Sequence, residues 1–109
     1  MIFQAYVASS YTSLDPEKNL LNIRAAIKAG LRLLAYKGIH PIIPHASMNH
    51  HPPSNEAMRT CLATIRSLNP ATDCLVLLPG WETSKGATQE RALALEIGLP
   101  VLTLAEALQ

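Results

Sequence analysis

The residue with the clearest potential for chemistry is Glu90, because the sequence around it predicts a carboxylate on a buried face. If residues 84–98 form a helix, with about 100° between successive residues, Glu90 falls in the middle of an apolar arc. Its helical neighbours at positions 86, 87, 93 and 94 are Gly, Ala, Leu and Ala. Burying an unpaired carboxylate is costly. The pattern therefore favours a functional acid over a carboxylate that bonds a loop or a tyrosine or lies at a subunit interface.

The turn before this helix carries further candidates for a binding site. Gly80 and Trp81 follow an apolar run, Ser84 stands at the predicted N-cap, and Gly86 leaves room for a ligand at the exposed N–H groups. Alternatively, Ser84 only caps the helix and Gly86 only allows close packing. Glu90 lies about 9 Å along the axis from the cap, which suits a sugar with a phosphate or hydroxyl at one end. A carboxylate can attack the anomeric carbon at the other end as a nucleophile or stabilise an oxocarbenium-like transition state.

Four other side chains are candidates, each with an ordinary alternative. Tyr6, in the first apolar run, could hydrogen-bond a carboxylate on a neighbouring helix or simply pack. Trp81 could stack on a base or cover the sheet edge. His45 could contact substrate, act as an acid, or be a loop histidine without chemistry. Asp73 could orient a ribose hydroxyl or close the preceding turn.

The elements that must position these residues alternate along the chain. Apolar runs predict strands at 2–8, 39–44, 73–79 and 100–104, and periodic stretches predict helices at 16–37, 55–68, 84–98 and 105–108. In the first helix, Ile23, Ile27, Leu31 and Leu34 are expected to face inward. The alternation predicts one α/β domain over residues 1–109, a three-layer sandwich with a parallel sheet of four or five strands. Ligands bind at the carboxyl ends of such strands, where Ser9, Ser10, His45, Gly80 and Trp81 are expected.

Composition excludes several function classes. The chain has 109 residues, 49% of them hydrophobic, and a net charge of +1 without a Lys/Arg cluster, which argues against nucleic acid as a partner. No apolar run reaches the ~18 residues of a membrane span, and a secretory leader is not indicated, so a cytoplasmic protein is expected. Cys61 and Cys74 are expected to be free and buried. His50 and His51 lack ligands at a recognised spacing, so no metal and no cofactor are expected.

Taken together, these motifs resemble the nucleoside 2-deoxyribosyltransferase-like superfamily, especially its small bacterial and phage members related to deoxynucleoside 5′-monophosphate N-glycosidases. The similarity spans nearly the whole chain. The residues that carry it are Tyr6-Val-Ala-Ser-Ser-Tyr11, Asn22, Ala25-Ala26, Gly38-x-x-Pro41-x-x-Pro44-His45, Asp73-x-x-Val-Leu-Leu-Pro-Gly-Trp81-x-x-Ser84-x-Gly86-x-x-x-Glu90 and Gly98-x-Pro100-Val101. The last segment of this series is specific as a set.

The resemblance implies a flavodoxin-like or Rossmann-like sheet, a homodimer or higher homo-oligomer, and cleavage or transfer of the N-glycosidic bond of a nucleoside or its 5′-monophosphate. Glu90 matches the nucleophile and Tyr6 the first-strand tyrosine that orients it. Ser84 matches a polar residue that is serine in the nucleotide hydrolases, and Ser10 matches a loop serine that holds phosphate there. The serine at position 84 favours a monophosphate substrate and hydrolysis.

The chain also departs from the family pattern. Thr12 stands where the hydrolases place a phosphate-binding arginine. The helix before the third strand offers Cys61 or Thr64 where many members have an aspartate that protonates the leaving base, so His45 and Glu56 are alternatives for that role. Two other functions stay open: a catalytically silent nucleotide-binding module, and a phosphoribohydrolase of the cytokinin-activating type, whose Gly-Gly and Gly-Thr pairs the chain lacks.

Overall fold

The computed structural model describes residues 1–8, 16–44 and 55–109, and helices alternate with strands along them. One turn of 3-10 helix, Trp81–Thr83, lies between β3 and α3. The elements are β1 (Gln4–Ala8), α1 (Pro16–Lys37), β2 (His40–Ile42), α2 (Asn55–Arg66), β3 (Asp73–Leu77), α3 (Lys85–Glu96), β4 (Val101–Thr103) and α4 (Leu104–Ala107). This is the predicted order, and α1 begins and ends at the predicted residues.

The four strands form one parallel sheet in the order β2-β1-β3-β4. β1 lies inside the sheet, where Tyr6 is in register with Ile42 on one side and Leu75 on the other. The prediction of an α/β fold with a parallel sheet is therefore confirmed, and the architecture is consistent with flavodoxin-like and Rossmann-like folds. Because β1 has a neighbour on both sides, its central residues are fully buried.

Side chains of β1 alternate between two cores, one on each face of the sheet. Ala5 and Val7 pack with residues of α1 and α4, whereas Tyr6 and Ala8 pack with residues of α2 and α3. The period of two follows from the pleat of the strand, and it makes the fold the predicted three-layer sandwich. The two cysteines are not joined in a disulfide and both are buried, as predicted, and they lie in opposite cores, Cys61 with Tyr6 and Cys74 with Val7.

The inward face of α1 differs from the prediction. Ile23 is buried as expected, but Ile27, Leu31 and Leu34 are 37%, 60% and 47% exposed. The buried positions are taken instead by Ala26, Ala29 and Leu33, which form the contact with the sheet. A Cβ at Gly30 would lie 2.6 Å from Ile43 Cδ1 and 3.0 Å from Pro41 Cβ, so at this position the helix lies too close for a larger side chain. Ile27, Leu31 and Leu34 are left at the surface.

Candidate active site

The centre of the candidate site is a buried pair formed by Glu90 and Tyr6. Glu90 lies in the middle of α3 and is only 4% exposed, as its position on the apolar arc predicted. The Tyr6 hydroxyl donates a hydrogen bond to Glu90 Oε2. A hydrogen bond to a carboxylate on a neighbouring helix was one of the two roles considered for Tyr6 from the sequence. The two residues are 84 positions apart, and they meet because Tyr6 points from β1 toward the face that α3 covers. Among the described residues, Glu90 Oε1 has no hydrogen-bond partner.

Burial controls the protonation of this pair. Loss of solvation raises the pKa of Glu90 to about 7, and the hydrogen bond from Tyr6 opposes that rise only in part. Burial, followed by the nearby Glu90 charge, raises the pKa of the Tyr6 phenol far above its ordinary value. Tyr6 therefore stays a protonated hydrogen-bond donor at every physiological pH, while Glu90 changes between acid and carboxylate near neutrality. Such a carboxyl group is suited to acting as a nucleophile or a proton acceptor.

Cys61 is a third member of the cluster, and the sequence analysis did not connect it with Tyr6. It lies on α2, is 8% exposed, and belongs to the same core as Tyr6. Burial raises the pKa of the thiol, so it remains protonated. Thr64, the other candidate on this helix, turns its hydroxyl back to the Thr60 carbonyl, 2.9 Å away. The spacing of Cys61, Ile65 and Leu68, all buried, could have indicated that Cys61 faces the sheet.

The amino end of α3 is capped as predicted. The Ala87 N–H donates to Ser84 Oγ over 3.2 Å, and Ser84 is 5% exposed. Gly86 packs closely against α2, because a Cβ there would lie 2.9 Å from Met58 Cε, the end of that side chain. The Met58 methyl group thus covers the first turn at Gly86. Close packing was one of the two roles considered for Gly86 from the sequence. Among the described residues, the Ser84 hydroxyl hydrogen has no acceptor, since the cap uses only the oxygen.

The turn from β3 into α3 depends on Gly80 and contains Trp81. Gly80 has a φ of 92°, a left-handed conformation that favours glycine, and the 3-10 turn begins immediately after it. The Trp81 ring is partly buried against the core that contains Tyr6. The guanidinium of Arg91 lies 5.2 Å from the centroid of the indole, within the range of a cation–π contact. Arg91 directly follows Glu90, so this contact ties the turn to the helix that carries the buried acid.

The structure does not bring every predicted site residue to this cluster. Asp73 lies at the amino end of β3, opposite the strand ends where ligands bind in such sheets. Its carboxylate accepts hydrogen bonds from the Asn69 N–H at 2.8 Å and the Thr72 hydroxyl at 3.1 Å. Asp73 therefore closes the turn before β3, the second of the two roles considered for it. The predictions for Ser9, Ser10, Thr12, His45 and the side chain of Glu56 lie outside the described residues.

The described part of the chain holds neither a metal-binding cluster nor a membrane-spanning helix. Within residues 1–8, 16–44 and 55–109, no group of three or more His, Cys, Asp or Glu side chains could hold a metal ion. In the same ranges, no helix is both long enough and apolar enough to cross a membrane.

The fold and the site together define a class of protein. It is a parallel α/β sandwich in which a tyrosine on an interior strand is hydrogen-bonded to a buried glutamate on a covering helix. Within that class, the chain belongs to the family described as domain of unknown function DUF4406, whose family model matches residues 4–103. The match runs from β1 to β4 and contains Tyr6, Cys61, Ser84 and Glu90. No curated protein matches the chain.

Proposed function

We propose that this protein cleaves or transfers the N-glycosidic bond of a nucleoside, a deoxynucleoside or one of their 5′-monophosphates, with Glu90 as the nucleophile. One observation carries the proposal: Glu90 is buried, its Oε2 is held by Tyr6, and its Oε1 has no partner among the described residues. A buried carboxylate oriented through one oxygen leaves the other for attack on an electrophilic carbon. The likeness of the motifs to the nucleoside 2-deoxyribosyltransferase-like superfamily supports the same assignment.

The proposed reaction has two steps. Glu90 Oε1, as the carboxylate, forms a bond to C1′ while the bond from C1′ to the base nitrogen breaks, and the base leaves with that electron pair and takes up a proton. Water or a second base then attacks C1′ of the glycosyl ester and releases Glu90 as a carboxylate. Tyr6 keeps its proton throughout and stabilises the charge on Oε2 whenever Glu90 is ionised. The ionised form is the reactive one, so a pKa of about 7 leaves a large fraction ready at neutral pH.

The distance from the cap to the nucleophile supports a substrate with a 5′-phosphate. Six residues separate Ser84 from Glu90, which corresponds to about 9 Å along the helix axis. A 5′-phosphate at the amino end of α3 would meet the positive end of the helix and the hydroxyl hydrogen of Ser84. The sugar would then reach from the cap to Glu90. On this basis we favour hydrolysis of a 5′-monophosphate in the cytoplasm, without a cofactor.

The direct test is a chromatographic screen for free base. The protein is incubated with a panel of nucleosides and 5′-monophosphates, with and without a second base as acceptor. Base release without an acceptor indicates hydrolysis, and a new nucleoside formed only with the acceptor indicates transfer. A failure to release base from any compound, with nucleotide binding intact, would overturn the enzymatic proposal.

That last outcome would support the second candidate, a catalytically silent nucleotide-binding module. The observation in its favour is that, among the side chains of α2 that the structure describes, the buried core beside Tyr6 receives the Cys61 thiol and no carboxyl group that could protonate a leaving base. Equilibrium binding of the same panel separates the two candidates, since a silent module binds nucleotides tightly and leaves them unchanged.

Replacing Ser84 by alanine should weaken binding of 5′-monophosphates about tenfold or more and leave nucleoside binding nearly unchanged, because only the phosphate receives the hydroxyl hydrogen bond. Isothermal titration calorimetry with each matched pair of compounds measures the two effects. Thr103→Ala is the control, since Thr103 caps α4 in the same way through the Glu106 N–H but lies outside the site. Equal losses for nucleoside and monophosphate would contradict a phosphate site at Ser84.

We also propose that the protein is a homo-oligomer assembled through α1. Leu20, Ile27, Leu31 and Leu34 form an exposed apolar stripe on this helix, each between 37% and 60% exposed. Leu20 and Leu34 lie seven residues on either side of Ile27, so a second copy of α1 packed antiparallel would place apolar residues against apolar residues. A stripe of this length on the surface is typical of an interface.

Leu31→Asp should convert the oligomer into a monomer, because Leu31 is the most exposed member of the stripe and a carboxylate there would be buried without a partner in the assembly. Light scattering coupled to size-exclusion chromatography measures the mass. Leu95→Asp is the matched control, since Leu95 is 53% exposed on α3, outside the stripe. A wild-type mass of one chain, or a Leu31→Asp variant that keeps the wild-type mass, would contradict the proposed interface.

A further inference from the structure

A cleft lies between α1 and α4, on the face of the sheet opposite to the candidate active site. It has a volume of about 310 Å³, which is at the lower end of the range for small-molecule sites. Leu104 at the start of α4 lines it, together with Leu78 and Pro79, which follow β3. Leu78 and Leu104 pack in the core on this face, whereas Tyr6 belongs to the other core. The sheet therefore separates the cleft from the buried acid.

Small residues of α1 form the facing wall of the cleft. Ala25 and Ala29 lie one helical turn apart, and both line the cleft. Their methyl groups leave space between the helix and Leu104 that longer side chains would fill. The apolar part of the lining thus comes from α1, from α4 and from the segment after β3.

The polar residues that the structure describes in the lining all belong to α1, and two of them are positively charged. Lys28 and Arg32 lie four residues apart, and Asn22 is the third. Within the described part of the chain, no ion pair or hydrogen bond engages these three side chains. Glu106, the acid of α4, accepts a hydrogen bond from the Thr103 N–H at 2.9 Å and is held at its own helix cap.

Two like charges on adjacent turns of a helix favour the binding of an anion between them. Side chains at positions i and i+4 have Cβ atoms about 5–6 Å apart, so Lys28 and Arg32 repel each other. A phosphate monoester carries about two negative charges at pH 7 and can accept hydrogen bonds from both an ammonium and a guanidinium group. The apolar lining favours a ligand that also has an uncharged, apolar part.

We propose that this cleft is a second binding site, which takes a small phosphate monoester with an apolar body. The phosphate lies between Lys28 and Arg32, and the body lies against Leu78 and Leu104. The site is independent of the proposed function, since neither Ser84 nor Glu90 lines it. At about 100° per residue, the two cations lie roughly a third of a turn around α1 from the exposed apolar stripe, so the cleft and the proposed interface use different faces of the helix.

The chain provides an internal comparison with an ordinary row of solvated cations. Arg24, Lys28 and Arg32 follow one another on α1 at four-residue spacing, and all three are exposed. Of these three, Lys28 and Arg32 line the cleft and Arg24 does not. A general attraction of anions to α1 would involve all three cations, whereas binding in the cleft involves two of them.

The test is a titration of ¹⁵N-labelled protein with phenyl phosphate, followed through the backbone amide signals in NMR spectra. We expect saturable shifts at Ala25, Ala29 and Leu78, with a Kd in the millimolar range. Glycerol phosphate has the same charged group on a polar body and should bind at least about fivefold more weakly. The proposal would be overturned by shifts that do not saturate, by shifts confined to the region of Ser84 and Glu90, or by equal affinities for the two compounds.

Three variants at exposed positions of α1 test the cleft further, and none of them alters the core. Arg32→Gln should weaken binding of phenyl phosphate at least about tenfold, because it removes a charged hydrogen-bond donor. Arg24→Gln is the matched control, since it removes the same charge outside the cleft, and it should change the affinity less than about twofold. Ala25→Leu keeps every charge but fills the cleft, and it should abolish the shift at Leu78.

Equal losses for Arg24→Gln and Arg32→Gln would show a general attraction to the helix and would overturn the proposal. Undiminished binding by Ala25→Leu would overturn it as well, because the ligand would then lie outside the cleft. The titration requires no turnover, so an absence of base release would count against the proposed function and leave this result intact.

Discussion

Glu90→Gln is expected to reduce base release at least about a thousandfold, the largest effect on activity that any single substitution in this chain should have. The amide keeps the size of the side chain and still accepts the hydrogen bond from Tyr6, but it cannot form the glycosyl ester. Binding of substrate should change little, because the variant removes the reacting atom rather than a contact at the phosphate or the base. The measurement is the initial rate of base release for both proteins on the same substrate.

The control for this prediction lies on the same helix. Glu96→Gln removes the same charge from an exposed position near the end of α3 and should leave the rate unchanged. Mass spectrometry of protein quenched during turnover should show the added mass of the glycosyl group on the peptide that contains Glu90, and that mass should be missing from Glu90→Gln. A variant that releases base at the wild-type rate would rule out Glu90 as the nucleophile.

The buried acid could be predicted from sequence because helix periodicity acts over short distances. The positions around Glu90 are occupied by small and apolar residues, and a helix through them has only one buried side. The same reasoning identified the α/β class, since apolar strands alternate with helices of sufficient length to cross the sheet. The Ser84 cap was predictable for the same reason, as its hydrogen bond spans only three residues.

The inward face of α1 was predicted wrongly because the larger apolar residues were assumed to be the buried ones. Ala26, Ala29 and Leu33 are buried instead, and at Gly30 the helix lies too close to its neighbours for a larger side chain. A pattern of apolar residues reports which side chains avoid water, but it does not distinguish the core from an interface with another chain. The stripe that the periodicity detected in α1 is real, and we interpret it as such an interface.

Contacts between elements that are far apart in the chain could not be predicted from the sequence. Nothing near Cys61 in the chain indicates that it packs in the same core as Tyr6, 55 positions earlier, because that packing depends on where α2 crosses β1. Asp73 shows the opposite case, since its partners Asn69 and Thr72 are so near in the chain that a local turn explains the residue fully. For such residues the local interpretation should be preferred until the fold is known.

The free energy of unfolding is expected to fall by about 2.5 kcal/mol between pH 5 and pH 8 because of Glu90 alone. Burial raises the pKa of this carboxyl group from the ordinary 4.5 to about 7, so between those values the folded protein holds a proton that the unfolded chain releases. A state that binds the extra proton is favoured at low pH. The stabilisation is therefore complete below about pH 4.5 and is lost as the pH rises through about 7.

Glu90→Gln isolates this contribution, because an amide has no charge to bury at any pH. From pH 5 to pH 8, the difference in free energy of unfolding between the two proteins should shift by about 2.5 kcal/mol in favour of the variant. Urea unfolding at fixed protein concentration measures both, so that assembly affects the two proteins alike. Histidines titrate in the same range, but they do so in both proteins and cancel in the difference.

The contrary result would be a difference between the two proteins that stays constant from pH 5 to pH 8. It would mean that Glu90 is already ionised in the folded protein at pH 5, which requires a charged or water-filled surrounding in place of the apolar one. Because no substrate is involved, this experiment tests the buried acid itself, and a stability that falls with pH as described would establish it whichever nucleotide the protein binds.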